Sequence, residues 1–158
     1  MLGEYRGKSY MLKSFSSIQK SYIAGFLDGD GSIYVRAKPN STYRYGFQIA
    51  PYIVLFQSAK NRESFEAMCK IIGYGKIRTR KDGILEYTVN KIDYVKEFLE
   101  CIQPFVILKK RQISLMLKII ELKNNIKNER DFSKLLVLVD SYRNLNYSKN
   151  RKRHVLTP

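Results

Sequence analysis

Tyr22-Ile-Ala-Gly-Phe-Leu-Asp-Gly-Asp-Gly-Ser-Ile-Tyr34 decides how this chain is read. The stretch begins as an apolar helix and ends in two carboxylates, Asp28 and Asp30, set among glycines. A strand pattern follows at once. Carboxylates at a helix C-terminus oppose the helix dipole. A residue that breaks a local preference is a functional candidate, above all where a cation offsets its charge. Mg2+ is a hard ion that prefers oxygen ligands and keeps several waters, so one or two carboxylates suffice to hold it. An EF-hand is excluded, because Ile33 stands where that loop needs glycine and Pro39 where it needs glutamate. Two aspartates that merely shape a turn with Gly29 and Gly31 remain an open alternative on this motif alone.

Upstream, Ser16 or Ser17 can cap a helix that runs to Asp28. Gly25 and Gly29 lie four apart on one side of it, with Ala24 adjacent. Each glycine costs a helix about 1 kcal/mol relative to alanine, which favours a packing reason for the pair. Small residues at this spacing let another backbone come close.

The charge is the outlier of the composition. The 158 residues carry 29 Lys plus Arg against 14 Asp plus Glu, a net charge of +15. Such an excess favours an anionic partner, meaning nucleic acid or an anionic membrane, with a merely basic soluble or ribosome-type protein as the alternative. A hydrophobic fraction of 44% is that of a globular protein and argues against disorder. Cys69 and Cys101 fall among apolar residues at helical spacing and read as reduced core residues, which fits a reducing compartment. His154, the one histidine, stands in a basic tail and supplies neither a triad nor a zinc cluster. No apolar run approaches the ~20 residues of a membrane span, and residues 1–13 lack the apolar core of a secretory signal. The abundance of Lys, Asn, Ile and Tyr suits an AT-rich coding sequence and hints at an organelle genome.

Residues 1–15 show no period and read as an arm, and 146–158 as a basic tail on one domain spanning 1–158. Between them the order is α-β-β-α-β-β-α plus terminal helices. Ser32, Tyr34, Arg36 and Lys38 alternate with Ile33, Val35 and Ala37. A turn at Pro39-Asn40-Ser41 leads to a strand from Tyr43 to Val54, with Tyr45, Phe47 and Ile49 inward and Arg44, Gln48 and Tyr52 outward. Pro51 within it implies a bulge or an edge position. Asn61 can cap the next helix, with Phe65, Met68, Cys69 and Ile72 on its apolar face and Gly73 at its end. Lys76, Arg78 and Arg80 then alternate with Ile77 and Thr79. Beyond the turn at Lys81-Asp82-Gly83, Ile84, Glu86, Thr88 and Asn90 alternate with Leu85, Tyr87 and Val89. Asp93 can cap a helix that Pro104 closes. Helices over 109–123 and 132–145 follow, the latter led by Asp131 or Ser133.

Two hairpins of this kind form one α+β unit, an αββαββα arrangement with a curved four-stranded antiparallel sheet and helices on its apolar face. The other face carries Arg36, Lys38, Arg44, Lys76, Arg78 and Arg80. Between them stand Ser32, Tyr34, Gln48, Tyr52, Glu86, Thr88 and Asn90. A solvated face would mix signs more evenly, and a basic ligand-binding face is the stronger reading. A two-stranded ribbon fits the DNA major groove, where Arg pairs with guanine, Gln and Asn with adenine, and Glu with cytosine. A membrane partner would want cations beside exposed apolar residues on a helix, a pattern that is missing. An RNA single-strand platform would want stacked aromatics on the sheet; Tyr34 is the main candidate, and the rest of the outward set is too hydrogen-bonding for one.

Ile23-Ala-Gly-Phe-Leu-Asp-Gly-Asp-Gly31 resembles the LAGLIDADG signature of homing endonucleases and related intron maturases. It matches as Ala-Gly, two apolar residues, Asp, a small residue, Asp and Gly, with a helix before it and a basic hairpin after it. The resemblance extends over most of the chain. Asp28-Gly-Asp-Gly-Ser-Ile33, Lys38-Pro-Asn40, Gln103-Pro-Phe105 and Leu117-Lys-Ile-Ile-Glu121 are most similar to the single-motif, chloroplast intron-encoded enzymes of green algae.

The resemblance implies a site-specific DNA endonuclease that hydrolyses phosphodiesters with divalent ions, Mg2+ first, Mn2+ able to replace it and Ca2+ as a non-catalytic substitute. By position, Asp30 ligates the metal and the Gly29 carbonyl assists. Gln57 orders water near the scissile phosphate, and Lys109 completes the pocket. A further basic position of the family is Asn61 here, so the adjacent Arg62 is the candidate for it. Asp28 supports the helix end. Asn40 joins the DNA-contact set. One signature copy per chain implies a homodimer on double-stranded DNA, with Ile23, Ala24, Gly25 and Phe26 at the contact and a long pseudo-palindromic site. It also implies intron homing in an organelle, a chloroplast ahead of a mitochondrion, and no membrane. The rival class is an intron RNA maturase or a non-catalytic DNA-binding protein of the same fold.

Overall fold

The computed structural model describes residues 14–146. The arm and the tail read at the two ends lie, apart from Ser14, Phe15 and Asn146, outside the described residues. Helix α1 spans Ser17–Asp30. Ser16 caps it through a reciprocal pair of bonds: the Gln19 N–H donates to Ser16 Oγ at 3.2 Å and the Ser16 N–H to Gln19 Oε1 at 3.0 Å. The helix runs two residues past the expected end, so both aspartates belong to its last turn.

Strand β1 (Gly31–Pro39) leaves α1 without a linker. This requires glycine at position 31. A methyl group there would lie 2.6 Å from Leu27 Cδ1 and 2.7 Å from the Leu27 carbonyl oxygen, and the latter cannot move aside. Gly31→Ala is therefore expected to destabilise the fold by about 3 kcal/mol, the upper range for overpacking. A fall of roughly 6–12 °C in thermal midpoint checks this; an unchanged midpoint would mean that the turn relaxes freely.

The remaining elements are β2 (Phe47–Ser58), α2 (Arg62–Ile72), β3 (Lys76–Thr79), β4 (Ile84–Val89), α3 (Ile92–Ile102), α4 (Lys110–Asn124) and α5 (Glu129–Tyr142). The order α-β-β-α-β-β-α with two closing helices is as read from the residues. All strand pairs are antiparallel in the order β1-β2-β4-β3. Inward residues of the sheet, among them Ile33, Ile53, Leu55, Leu85, Tyr87 and Val89, pack with the apolar faces of the helices into one core.

Several local expectations are corrected. Residues 43–46 are not strand; β2 begins at Phe47 and continues to Ser58. The Asn40 side chain accepts from the Thr42 N–H and hydroxyl at 3.0 and 2.7 Å, and the Asn40 N–H donates to the Gly46 carbonyl at 2.8 Å. These bonds offer the backbone a turn in place of a ladder, and Gly46 completes it at φ 75°. Pro51 causes no bulge, because the β1–β2 register runs unbroken through Val35 and Pro51. It lies before Ile53, where β4 joins, on a stretch of β2 that is open on one side. Asn61 precedes α2 without a side-chain cap bond. Lys91, not Asp93, stands at the N-cap of α3, leaving Asp93 in the first turn, where its charge complements the helix dipole. Asn128 caps α5 in place of Asp131 or Ser133. Neither Cys69, which is buried, nor Cys101, which is half-buried, forms a disulfide among the described residues.

Candidate active site and nucleic-acid face

The two carboxylates at the tip of α1 have different surroundings. Asp28 is fully engaged. Its Oδ2 accepts from the N–H of Ile107 at 2.7 Å and of Leu108 at 3.0 Å, and its Oδ1 from the N–H of Lys109 at 3.0 Å. Asp30 is exposed and has neither hydrogen bond nor ion pair among the described residues. Asp28 therefore supports a helix end, but that of α4, whose first residue follows Lys109, rather than its own.

Lys109 reaches the same tip. Its Nζ donates to the Asp28 carbonyl oxygen at 2.7 Å. Partial burial pulls the ammonium below the usual lysine range, while the charges of Asp28 and Asp30 oppose that shift. The tip thus joins an unpaired carboxylate to an ammonium from a segment almost eighty residues away.

Gln57 lies on the β2 rung opposite Leu85, two residues beyond Leu55, which pairs with Gly31. That register puts it at the end of the sheet where α1 hands over to β1. Its Oε1 accepts from the Ser58 N–H at 2.8 Å and from Asn61 Nδ2 at 3.4 Å. Arg62 donates to Glu66 at 2.9 Å and to Thr79 Oγ1 at 2.6 Å. Those bonds tie it to α2 and β3.

Among the described residues no three His, Cys, Asp or Glu side chains cluster. One chain thus offers a cation the Asp30 carboxylate and backbone carbonyls of the last helical turn, such as that of Gly29, which have no intrahelical partner. This oxygen-only set fits a hard divalent ion that keeps waters and draws further ligands from a phosphate or a second chain.

The polar sheet face is built in rungs. Tyr34 pairs with Tyr52 across β1 and β2, and the rings stack with centroids 4.8 Å apart. The Arg36 guanidinium lies 5.1 and 5.7 Å from those two centroids. Lys38, in register with Gln48, hydrogen-bonds the Tyr52 hydroxyl. Ser32, Arg36 and Lys38 alternate with buried Ile33 and Val35. On the other hairpin Arg78 pairs with Glu86 and Lys76 with Thr88. Glu86 takes the Arg78 guanidinium in an ion pair and lies 3.6 Å from Arg80, which also holds Asp82 at 2.6 Å. Arg44 and Asn40 belong to the 40–46 turn, with the Arg44 guanidinium 5.3 Å from the Tyr45 ring centroid.

The proposed contact residues of α1 are divided by the fold. Ile23 and Ala24, expected to face a second copy, are 2% and 0% exposed inside the chain's own core. Phe26 packs toward Phe65, the rings 6.1 Å apart. Gly25 alone of the four lies on the open side. There it joins Ile18 (83% exposed), Tyr22 (63% exposed) and Gly29. Nothing lies within 4 Å of a Cβ built on either glycine. The spacing 18, 22, 25, 29 is one helical stripe, and that spacing was already visible in the sequence. The grip of Asp28 on residues 107–109 and the exposure of Ile107 (75%) and Leu108 (72%) beside it left no local sequence signal.

An acid-tipped helix feeding a four-stranded sheet with a basic face defines the LAGLIDADG endonucleases, and the chain belongs to this family, whose model matches residues 23–119. DNA endonuclease I-CreI of Chlamydomonas reinhardtii is 37% identical over 132 residues, 83% of this chain and 80% of that protein. DNA endonuclease I-CvuI of Chlorella vulgaris is 30% identical over 131 residues, 83% of this chain and 81% of that one. The crystal structure of I-CvuI with its target in 2 mM Ca matches with a TM-score of 0.78 at 29% identity, covering 86% of this chain and 87% of the other. A second I-CvuI structure, on the I-CreI target in 2 mM Mg with the DNA not cleaved, also gives 0.78, at 27% identity and 90% and 88% coverage. The architecture expected from the two hairpins, an antiparallel four-stranded sheet with helices, is thus met.

Proposed function

We propose that this chain is a single-domain, sequence-specific DNA endonuclease that hydrolyses phosphodiesters at a long pseudo-palindromic site in intron homing, as a homodimer in an organelle, the chloroplast first. The observation that carries this reading is the division of labour at the α1 tip. Asp28 is held by three N–H groups, while Asp30, two residues on, has no hydrogen bond or ion pair among the described residues and lies close enough to the Lys109 ammonium to act on its charge.

A bound Mg2+ ion would supply charge neutralisation at the attacking and leaving oxygens. Asp30 and the Gly29 carbonyl would hold it, with Mn2+ able to take its place and Ca2+ binding without reaction. Lys109 offers a cation to the charge that develops on the phosphate. Gln57 has amide hydrogens to orient a water and an acceptor oxygen already tied to Ser58 and Asn61. Arg62 stands one residue after Asn61 and contributes a charge at the edge of the pocket, its guanidinium steadied by Glu66 and Thr79.

One chain has one such tip, and cutting both strands takes two. A C2 pair supplies them. The stripe Ile18, Tyr22, Gly25 and Gly29 is apolar or small and open, and Ile107 and Leu108 extend the exposed apolar surface beside the tip. Crossing two helices on that stripe brings both Asp30 carboxylates together. The two sheet faces then line one duplex, Lys and Arg on phosphates and the mixed polar rungs on base edges.

Arg78→Ala is expected to relax base preference at one symmetric pair of positions, because Glu86 holds the guanidinium in one orientation on the face. Binding profiles over single-base variants of the target check this; a uniform loss across all variants would make Arg78 a phosphate contact.

The test of function is cleavage selection from a randomised duplex library with Mg2+, with EDTA as control. Recovery of one pseudo-palindromic sequence, cut only with the metal, is the expected result. Tight binding without cutting would favour a non-catalytic binder. Selective binding of an intron RNA over that duplex would favour a maturase.

A further inference from the structure

We propose that Asp28 is a positioning residue for catalysis: by gripping the backbone of residues 107–109 it sets Lys109 against the tip of α1. The inference rests on the reading of Lys109 as the basic group of the cleavage pocket.

Three successive N–H groups converging on one carboxylate are a strong, charge-assisted arrangement. The segment they fix has little other anchorage. Val106 is buried, but Ile107 and Leu108 point their side chains into solvent. Lys109 stands at the N-cap of α4 without a side-chain cap of its own. The cap is supplied from α1, across some eighty residues of chain, and its negative charge complements the α4 dipole. Lys109 touches Asp28 twice, through its N–H to the carboxylate and through its Nζ to the carbonyl. Both contacts fix the ammonium relative to Asp30, two residues along the same helix turn. With both oxygens of Asp28 occupied, direct metal ligation by it is not needed to explain why this position is acidic.

The experiment is a double-mutant cycle on the selected target, with Asp28→Asn, Lys109→Met and the double variant. It reads single-turnover cleavage at saturating enzyme, DNA affinity without divalent metal, and the thermal midpoint. Asp28→Asn should slow cleavage by about thirtyfold or more while affinity stays within about threefold. Adding Asp28→Asn to Lys109→Met should lower cleavage by no more than about a further threefold. If the two losses multiply, or if Asp28→Asn cuts as the parent does, the inference is overturned. It is equally overturned if affinity falls in step with cleavage, since Asp28 is then only structural. Parent-like cleavage by Lys109→Met overturns the reading of Lys109 itself, and this inference with it. Should Asp28→Asn fail to fold, Asp28→Ser, a short acceptor suited to an N-cap, serves in the same cycle.

Discussion

Asp30→Asn is expected to abolish cleavage while leaving DNA binding intact. The substitution keeps size and polarity and removes the one carboxylate at the tip that has no hydrogen bond or ion pair among the described residues. Loss of a metal-holding charge should slow the chemical step by at least about a thousandfold, on the order of 4 kcal/mol. Affinity for the target, measured without divalent metal, should stay near that of the parent. The stability change has the opposite sign. A carboxylate at a helix C-terminus opposes the dipole, so neutralising Asp30 should stabilise the fold by about 0.3–1 kcal/mol. Asp28→Asn should destabilise, because it weakens three bonds to backbone N–H groups. Opposite shifts in thermal midpoint for two aspartates two residues apart would separate a functional acid from a positioning one. Loss of binding together with cleavage in Asp30→Asn would make that acid structural as well.

Gly25→Gln is expected to break the proposed homodimer without harming the single chain. A Cβ at Gly25 meets nothing within 4 Å, so the isolated fold has room for the side chain. Replacing glycine by a helix former should even favour the helix, by up to about 1 kcal/mol. In a C2 contact across that stripe the intruding side chain appears twice. With overpacking at about 2 kcal/mol per copy, association weakens by about 4 kcal/mol, roughly a thousandfold. Analytical ultracentrifugation should show a monomer with a parent-like or higher thermal midpoint, and double-strand cleavage should disappear with the dimer. A dimer of unchanged affinity would move the contact away from the open face of α1. Ile18 and Tyr22 would then need another explanation for their exposure.

Much of this molecule is visible in short stretches of its chain. The Ser16 cap, the period-two runs from Ser32 to Lys38 and from Ile84 to Val89, and the helical spacing of Phe65, Met68, Cys69 and Ile72 each depend on residues within a few positions of one another. Each appears in the structure much as its pattern implies. The errors fall where a local pattern had competitors. Tyr43 to Gly46 alternates like a strand, but the Asn40 side chain and the Gly46 conformation make a turn available there. Ile23 and Ala24 belong to the signature, and the resemblance implies that they face a second copy. Helical geometry aims them at the core and leaves Gly25 and Gly29 outside.

By itself the amino-acid sequence determined the element order and the basic alternation of one sheet face, because periodicity, capping and charge balance are carried by neighbouring residues, and the resemblance of residues 23–31 to the family signature gave the class. Only the tertiary structure decided that Asp28 is held by the N–H groups of residues 107–109, and which stripe of α1 is open. Those outcomes depend on groups about eighty residues apart meeting in one place, and the desolvation and hydrogen bonding that select them exist only once the chain has packed.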